Sequence, residues 1–363
     1  MTGRAYNPKG YDPEVKGRFS APPPPVMKAH QESWAKELSS MRAHVPYEEA
    51  MKYLKRGEGA NLGHYVYEML YDTYAGIEDK LLEGAWDTHL HIYPDYVPRG
   101  IDMIDLAIAA SKVKMGGLVC KDHFFSNVGA AWGAQRYIDD MVKRGELDYA
   151  CKVLGTNIFA WCYHPDQVNL IRKYPNLGAM FFRTMTGGGV MAGSDIPIVD
   201  DKGKIVPQVR ECIRLCAEYN IPIMTGHVGL IGERPEELMV LIRAAHEFGA
   251  HIMVTHGQHF GSMSDKSDLE ETLKLGAYLE INGTGMVPNM MHPCVDPNAC
   301  GDFIREVGPE KCIFNTDWGQ PFVYDPIDGM RICIRMLLHF GFSEEEIRTM
   351  LKTNPEKYLF IED

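Results

Sequence analysis

The sequence has no run of about 18 consecutive apolar residues, so it encodes no membrane-spanning helix of the usual kind. Its opening stretch, MTGRAYNPKGYDPEVKGRF, has no apolar segment, which predicts a protein without a secretory signal. It has no C-x-x-C pair, and its nine cysteines are odd in number and scattered. That argues against a disulfide framework and predicts reduced thiols in a cytoplasmic protein, most of them serving as small buried hydrophobes. Positive charge is in deficit. Lys plus Arg is 37 against 49 for Asp plus Glu, a formal net charge of −12. Such a surface repels phosphate backbones and anionic lipid, so neither nucleic acid nor a membrane is an expected partner.

The rest is ordinary for a globular protein. Hydrophobic residues make up 45% and charged residues 24%, which excludes a disordered chain or a collagen-like fibre. A length of 363 residues accommodates one α/β barrel with an extension and a large core. The first 80 or so residues differ from the remainder. Residues 1–26 are rich in Pro, Gly and charge and end in Pro22–Pro25, which favours extended geometry. Met27, Trp34, Leu38 and Met41 then follow a helical spacing, as do Tyr65, Leu70, Tyr74 and Ile77. Residues 1–80 are therefore expected to be a mostly helical arm packing on the main domain or on a second copy, which predicts a homo-oligomer.

From Gly84 the chain alternates between short apolar runs and amphipathic helical stretches. The candidate strands are Ala85–Ile92, Gly117–Lys121, Tyr149–Leu154, Ala179–Arg183, Pro222–His227, His251–His256, Ala277–Ile281 and Cys312–Asp317. Helical stretches are expected at 101–114, 130–144, 164–173, 207–219, 235–248, 267–275, 300–307 and 328–340. Eight strands each followed by a helix match the arithmetic of an α/β fold of the (β/α)8 TIM-type barrel class over residues 81–363. A doubly wound sheet would share the alternation.

The polar residues cluster at strand ends. In Trp86-Asp87-Thr88-His89-Leu90-His91 the two histidines are two apart and project to the same side of a strand. Strand five ends in His227, strand six in His256 and strand eight in Asp317. All strand C-termini of a parallel barrel open at one face, so these five side chains are expected to converge there. Imidazole and carboxylate together suit Zn²⁺, Fe²⁺ or Mn²⁺.

His89-Leu90-His91, His227, His256 and Asp317 resemble the pattern of the amidohydrolase superfamily of metal-dependent hydrolases, over about residues 84–342. Asn315-Thr316-Asp317-Trp318-Gly319-Gln320-Pro321 is similar to the strand-eight region of its uncharacterised members. The resemblance implies a distorted barrel holding one or two divalent metals, zinc foremost with Mn or Fe as alternatives. It implies that His89, His91 and His227 bind metal, and that His256 binds a second metal or orients substrate. Asp317 binds metal and acts as general base. The sequence departs from the two-metal members at strand four, where a bridging carboxylated lysine or a glutamate is usual and Arg183 stands here.

Lys121, at the end of strand two, could supply the bridging carbamate and so act as a metal ligand and catalytic group. It could instead bind a substrate anion or pair with Asp122. An ammonium has no lone pair and cannot bridge metals. Arg183 could grip a substrate carboxylate or form a structural salt bridge. His123, His259 and Asn282 are candidate substrate contacts or hydrogen-bond supports, and Glu280 a support. Thr186-Gly187-Gly188-Gly189 reads as a loop over the site. The expected activity is attack of a metal-activated water on a small cyclic amide, lactone or related ester, with His256 helping to polarise the carbonyl. The alternative is a mononuclear decarboxylase (a lyase) or hydratase of a small carboxylic acid on the same barrel.

Overall fold

The computed structural model describes residues 76–361 apart from 96–97, 160–161, 183–196, 228–233, 288–296 and 322. Its strands are β1 (Trp86–His91), β2 (Gly117–Lys121), β3 (Lys152–Ile158), β4 (Leu177–Phe181), β5 (Ile223–Met224), β6 (Ile252–Val254), β7 (Tyr278–Asn282) and β8 (Cys312–Asn315). They lie in that order in one eight-stranded sheet, and each pairs in parallel with the next. The end of β8 returns to β1. The His91 N–H donates to the Trp318 carbonyl at 2.8 Å and the Asp317 N–H to the His89 carbonyl at 2.9 Å. The sheet is thus a (β/α)8 barrel, as the alternation predicts.

Helices follow in the expected places. Preceding the barrel is α1 (Ile77–Leu82). The others are α2 (Met103–Lys112), α3 (Val128–Lys143), α4 (Pro165–Ile171), α5 (Pro207–Glu218), α6 (Pro235–Phe248), α7 (Gly257–Met263), α8 (Lys266–Lys274), α9 (Gly283–Met286), α10 (Pro297–Val307), α11 (Pro326–His339), α12 (Glu344–Arg348) and α13 (Asn354–Tyr358). Their starts carry recognisable signals. Asp102 caps α2 by accepting the Ile104 and Asp105 N–H groups at 2.8 and 2.9 Å, and Pro occupies the first turn of α4, α5, α6 and α11. The arm expected over 1–80 lies almost wholly outside the described residues. From Ile77 the chain is docked: Leu81 and Leu82 are buried, and Glu78 forms a buried ion pair with Arg335 of α11.

Two differences from the expected elements have local causes. The third strand runs to Ile158, beyond the apolar run. Asn127 Oδ1 accepts the Thr156 N–H at 2.8 Å and the Thr156 hydroxyl donates to the Cys120 carbonyl at 3.3 Å, so polar side chains support the strand between the apolar Val153-Leu154 and the buried Ile158. Helix α7 begins directly after His256, in a segment with two glycines that carries no helical pattern.

Side chains alternate between two apolar layers, as strand geometry requires. Leu118, Cys120, Met180, Phe182, Leu279, Ile281, Cys312 and Phe314 face the helices. Val119, Ala179, Phe181, Met224, Met253 and Ile313 fill the barrel with Trp86 and Tyr358. The inward column then changes character toward the strand C-termini. Val119 is succeeded by Lys121, Tyr278 by Glu280 and Asn282, and Ile313 by Asn315 and then Asp317.

Candidate metal centre

The site is built where β1 and β8 meet. Asp87, at the start of β1, accepts the Thr316 hydroxyl at 2.6 Å and the Thr316 N–H at 3.2 Å. Burial pushes the Asp87 carboxyl up to about 7, opposed by these bonds. The contact fixes the height of β8 against β1, and so of Asp317 against His89 and His91. Gly319 allows the closure. Its φ is +122°, and a Cβ there would run into the His91 carbonyl.

Three ligand atoms come together. His89 Nε2 lies 3.1 Å and His91 Nε2 3.2 Å from Asp317 Oδ1, and the two nitrogens are 3.2 Å apart. All three residues are buried, and among the described residues they are the one group of this kind. Ligands about 2.0–2.2 Å from a shared divalent ion lie about 2.9–3.5 Å from one another. The chemistry of the donors agrees. His89 Nδ1 is 2.9 Å from Glu280 Oε1, so it carries the proton and its Nε2 presents a lone pair. That lone pair faces a carboxylate oxygen and a second imidazole nitrogen. Such a group is repulsive unless a proton on His91 Nε2 or a cation sits among the atoms, and two imidazoles with a carboxylate at these distances fit a divalent metal.

The protonation states agree as well. Burial pushes His91 down to about 3 and His256 down to about 4, leaving neutral imidazoles able to coordinate. Burial alone would raise the Asp317 carboxyl, but His89, His91 and His256 hold it well below the usual carboxylate range. Glu280 is similar: burial opposes its charge, yet His89 and Lys121 hold it ionised. His256 and Asp317 both have left-handed backbones, each with φ +54°. Non-glycine residues in that region cluster at functional sites.

The other expected residues surround this cluster without joining it. His256 Nε2 lies 3.9 Å from Asp317 Oδ2, and its Nδ1 is 2.6 Å from Asn282 Oδ1. The His227 ring is 4.7 Å from the His256 ring and 6.0 Å from His123, centre to centre. Its Nδ1 is buried without a hydrogen-bond partner, as is His123 Nδ1. Burial pushes both well below the usual histidine range. The His123 ring lies edge-on to His91 at 4.5 Å. His259 is exposed, stacked at 5.5 Å on His256.

Lys121 is fully buried. Its Nζ lies 3.7 Å from the centre of the Phe181 ring and 3.4 Å from His89 Nδ1, the nitrogen that points away from the cluster. Burial pushes the ammonium down to about 8 against the pull of Glu280 and Asp317. Arg183 and Gly187–Gly189 lie outside the described residues.

Several contributors carried no signal of their own. Thr284 donates to Asp317 Oδ2 at 3.3 Å. Asn315 donates to Glu280 Oε1 at 2.9 Å and accepts from Asn282 Nδ2 at 2.6 Å. The signal available for Asn315 is strand alternation: it stands two residues before Asp317 and therefore on the same side.

Comparison with known proteins agrees with the fold. The sequence model of a family of unknown function (DUF6282) matches residues 84–155 and 169–280, just over half of the chain. These segments contain His89, His91, Lys121, His227, His256 and Glu280. No curated protein sequence matches. Among solved structures, an amidohydrolase from Pseudomonas aeruginosa superposes with a TM-score of 0.53 at 12% identity, covering 78% of this chain and 97% of that one. A protein from Agrobacterium tumefaciens, solved without ligand, superposes with a TM-score of 0.52 at 14% identity, covering 77% and 97%. At these identities the likeness is one of fold.

Proposed function

The chain belongs to the family of unknown function DUF6282, a membership that assigns no reaction, and from its site we propose that it is a metal-dependent hydrolase acting on a small cyclic amide, lactone or related ester. The observation that carries this reading is the triangle of His89 Nε2, His91 Nε2 and Asp317 Oδ1, with edges of 3.1–3.2 Å and a lone pair facing a carboxylate. Its place at the C-terminal mouth of a parallel barrel supports it, because barrel enzymes keep their chemistry there.

His89, His91 and Asp317 would hold one divalent ion, zinc by the nitrogen-rich donor set, with Mn or Fe as alternatives. When bound, such an ion lowers the pKa of water from about 16 to near 7 and polarises a carbonyl. The remaining steps belong to the protein. Asp317 commits Oδ1 to the cluster and keeps Oδ2 to take the proton of the attacking water and pass it to the leaving group. The Thr284 hydroxyl steadies that oxygen. Neutral His256, with Nε2 turned toward Asp317 Oδ2, stands ready to orient the substrate carbonyl. His123 and His227 offer buried, unpartnered nitrogens as substrate contacts. With Lys121 directed at the rear of His89, the described residues favour one ion over two. We assign the enzyme to the cytoplasm, in keeping with its scattered thiols.

Metal content per chain, measured by plasma mass spectrometry on protein purified without chelator, tests this reading. About one ion per chain is expected. None after reconstitution with Zn²⁺, Mn²⁺ and Fe²⁺ would overturn it. Release of CO₂ from a carboxylated substrate, without hydrolysis, would move the enzyme to the decarboxylase class.

A further inference from the structure

Behind the cluster, Glu280 is the meeting point of a polar network that reaches two histidines by different routes. Its Oε2 accepts the His256 backbone N–H at 2.9 Å. Its Oε1 takes His89 Nδ1 at 2.9 Å and Asn315 Nδ2 at 2.9 Å. An ionised carboxylate only accepts hydrogen bonds, and the backbone N–H on Oε2 only donates, so the direction of every bond leading outward is set. His89 Nδ1 must carry a proton. Asn315 must turn its NH₂ toward Glu280, which leaves its Oδ1 facing Asn282 at 2.6 Å. Asn282 must answer with its own NH₂, which leaves its Oδ1 facing His256 Nδ1 at 2.6 Å. That nitrogen must also carry a proton.

We propose that Glu280 is a positioning residue that fixes the tautomers of His89 directly and of His256 through Asn315 and Asn282, so that both rings present a bare Nε2 to the mouth of the barrel. The functional weight of the proposal rests on the metal-site reading above. With the opposite tautomer, His89 would push an N–H into the cluster and block a cation. His256 would aim an N–H at Asp317 Oδ2 and compete for the oxygen that takes the proton. One buried carboxylate thus sets the ligand atom and keeps the base free. The amides of Asn282 and Asn315 serve as one-way connectors, because each gives with one end and receives with the other.

The experiment is ¹⁵N-histidine NMR on the full-length, metal-free protein at neutral pH, which reads the protonated nitrogen of each ring. In the native protein His89 and His256 are both expected as Nδ1–H. Glu280→Gln reverses the network. Its amide oxygen must stay against the His256 backbone N–H, so its NH₂ faces His89 and Asn315. Both asparagines turn over and both histidines become Nε2–H, while metal affinity falls about 10–100-fold. Asn315→Leu cuts the connector, together with the Asn315 bond to the Thr88 hydroxyl at 3.1 Å, and leaves the Glu280–His89 contact: His89 stays Nδ1–H and His256 becomes a mixture. His256 found as Nε2–H in the native protein would overturn the proposal. So would Glu280→Gln leaving both tautomers unchanged. Should Glu280→Gln not fold, the native spectrum and Asn315→Leu decide. A protein with the expected tautomers that binds no metal would sink the hydrolase reading alone. A protein that binds metal with His256 as Nε2–H would sink this proposal alone.

Discussion

The two ends of the barrel are built from the same inward-facing positions and do opposite things. At the floor, Trp86, Val119, Ala179 and Ile313 pack with Tyr358 of α13 into a dry plug. Of the plug's two polar tips, the Tyr358 hydroxyl donates to the Ile223 carbonyl at 2.8 Å, while the Trp86 indole N–H is buried without a partner. At the mouth, the next inward positions are Lys121, Glu280, Asn282, Asn315 and Asp317, joined by His89, His91 and His256. Burial is as complete there, but nearly every polar group is held by a neighbour or turned into the site, His91 Nδ1 being buried without a partner. The floor gains stability from apolar area removed from water. The mouth sets ionised carboxylates and neutral imidazoles into the same interior, an arrangement that costs stability and suits the proposed chemistry. One column thus stabilises the protein over half its length and carries the candidate site over the other half.

The comparison can be broken most sharply at the mouth. Asp317→Asn keeps the shape and removes the proposed base and one proposed metal ligand, so turnover is expected to fall about 10²–10⁴-fold or more, with the melting temperature of the metal-free protein unchanged or raised. Full activity would sink the proposed mechanism. The reverse holds at the floor. Tyr358→Ala should cost about 3–5 kcal/mol in urea unfolding, while turnover per folded molecule and metal content stay as they are. A loss of metal in that variant would show that the two ends are not separable. Between them stands Gly319→Ala, whose Cβ would meet the His91 carbonyl where β8 closes on β1. It should cost about 1–3 kcal/mol and weaken metal binding as well, read by the same two measurements.

The division between the ends also explains what could be read from the sequence. Strands β2, β4 and β8 and nearly all the large helices were legible, because apolar runs and helical spacing report burial against a neighbouring layer. His89, His91 and Asp317 were legible because ligand-type side chains at strand ends are rare without a purpose. His227 and His256 were expected at the same mouth and stand there, beside the ligand cluster. The network behind it was not legible. Asn282 and Asn315 come from different strands, and nothing in a linear pattern tells that their amides meet at 2.6 Å. Glu280 read as a support, but its reach to both His89 and His256 exists only once β7 lies between β6 and β8. The end of β3 escaped for the same reason: Asn127 supports Thr156 from another element.

The smallest effect tests the floor alone. Tyr358→Phe removes only the hydroxyl and should cost about 0.5–1.5 kcal/mol near neutral pH. Its sign with pH is the sharper readout. Burial raises the folded Tyr358 hydroxyl well above its ordinary value of 10.0, and the negative field of Glu280 adds to the rise. Above that ordinary value the unfolded chain releases this proton while the folded chain keeps it. The folded state then binds more protons, and stability falls as pH increases. The hydroxyl's contribution is therefore whole below about pH 10 and lost above it, whereas the phenylalanine variant has no such loss. Urea midpoints of the two proteins, compared at about pH 8 and about pH 11, should differ in favour of the native protein at the lower pH and converge or cross at the higher one, every other titrating group cancelling between them. A gap that stays constant would mean that water reaches the hydroxyl, and that the floor is not the dry plug opposed here to the mouth.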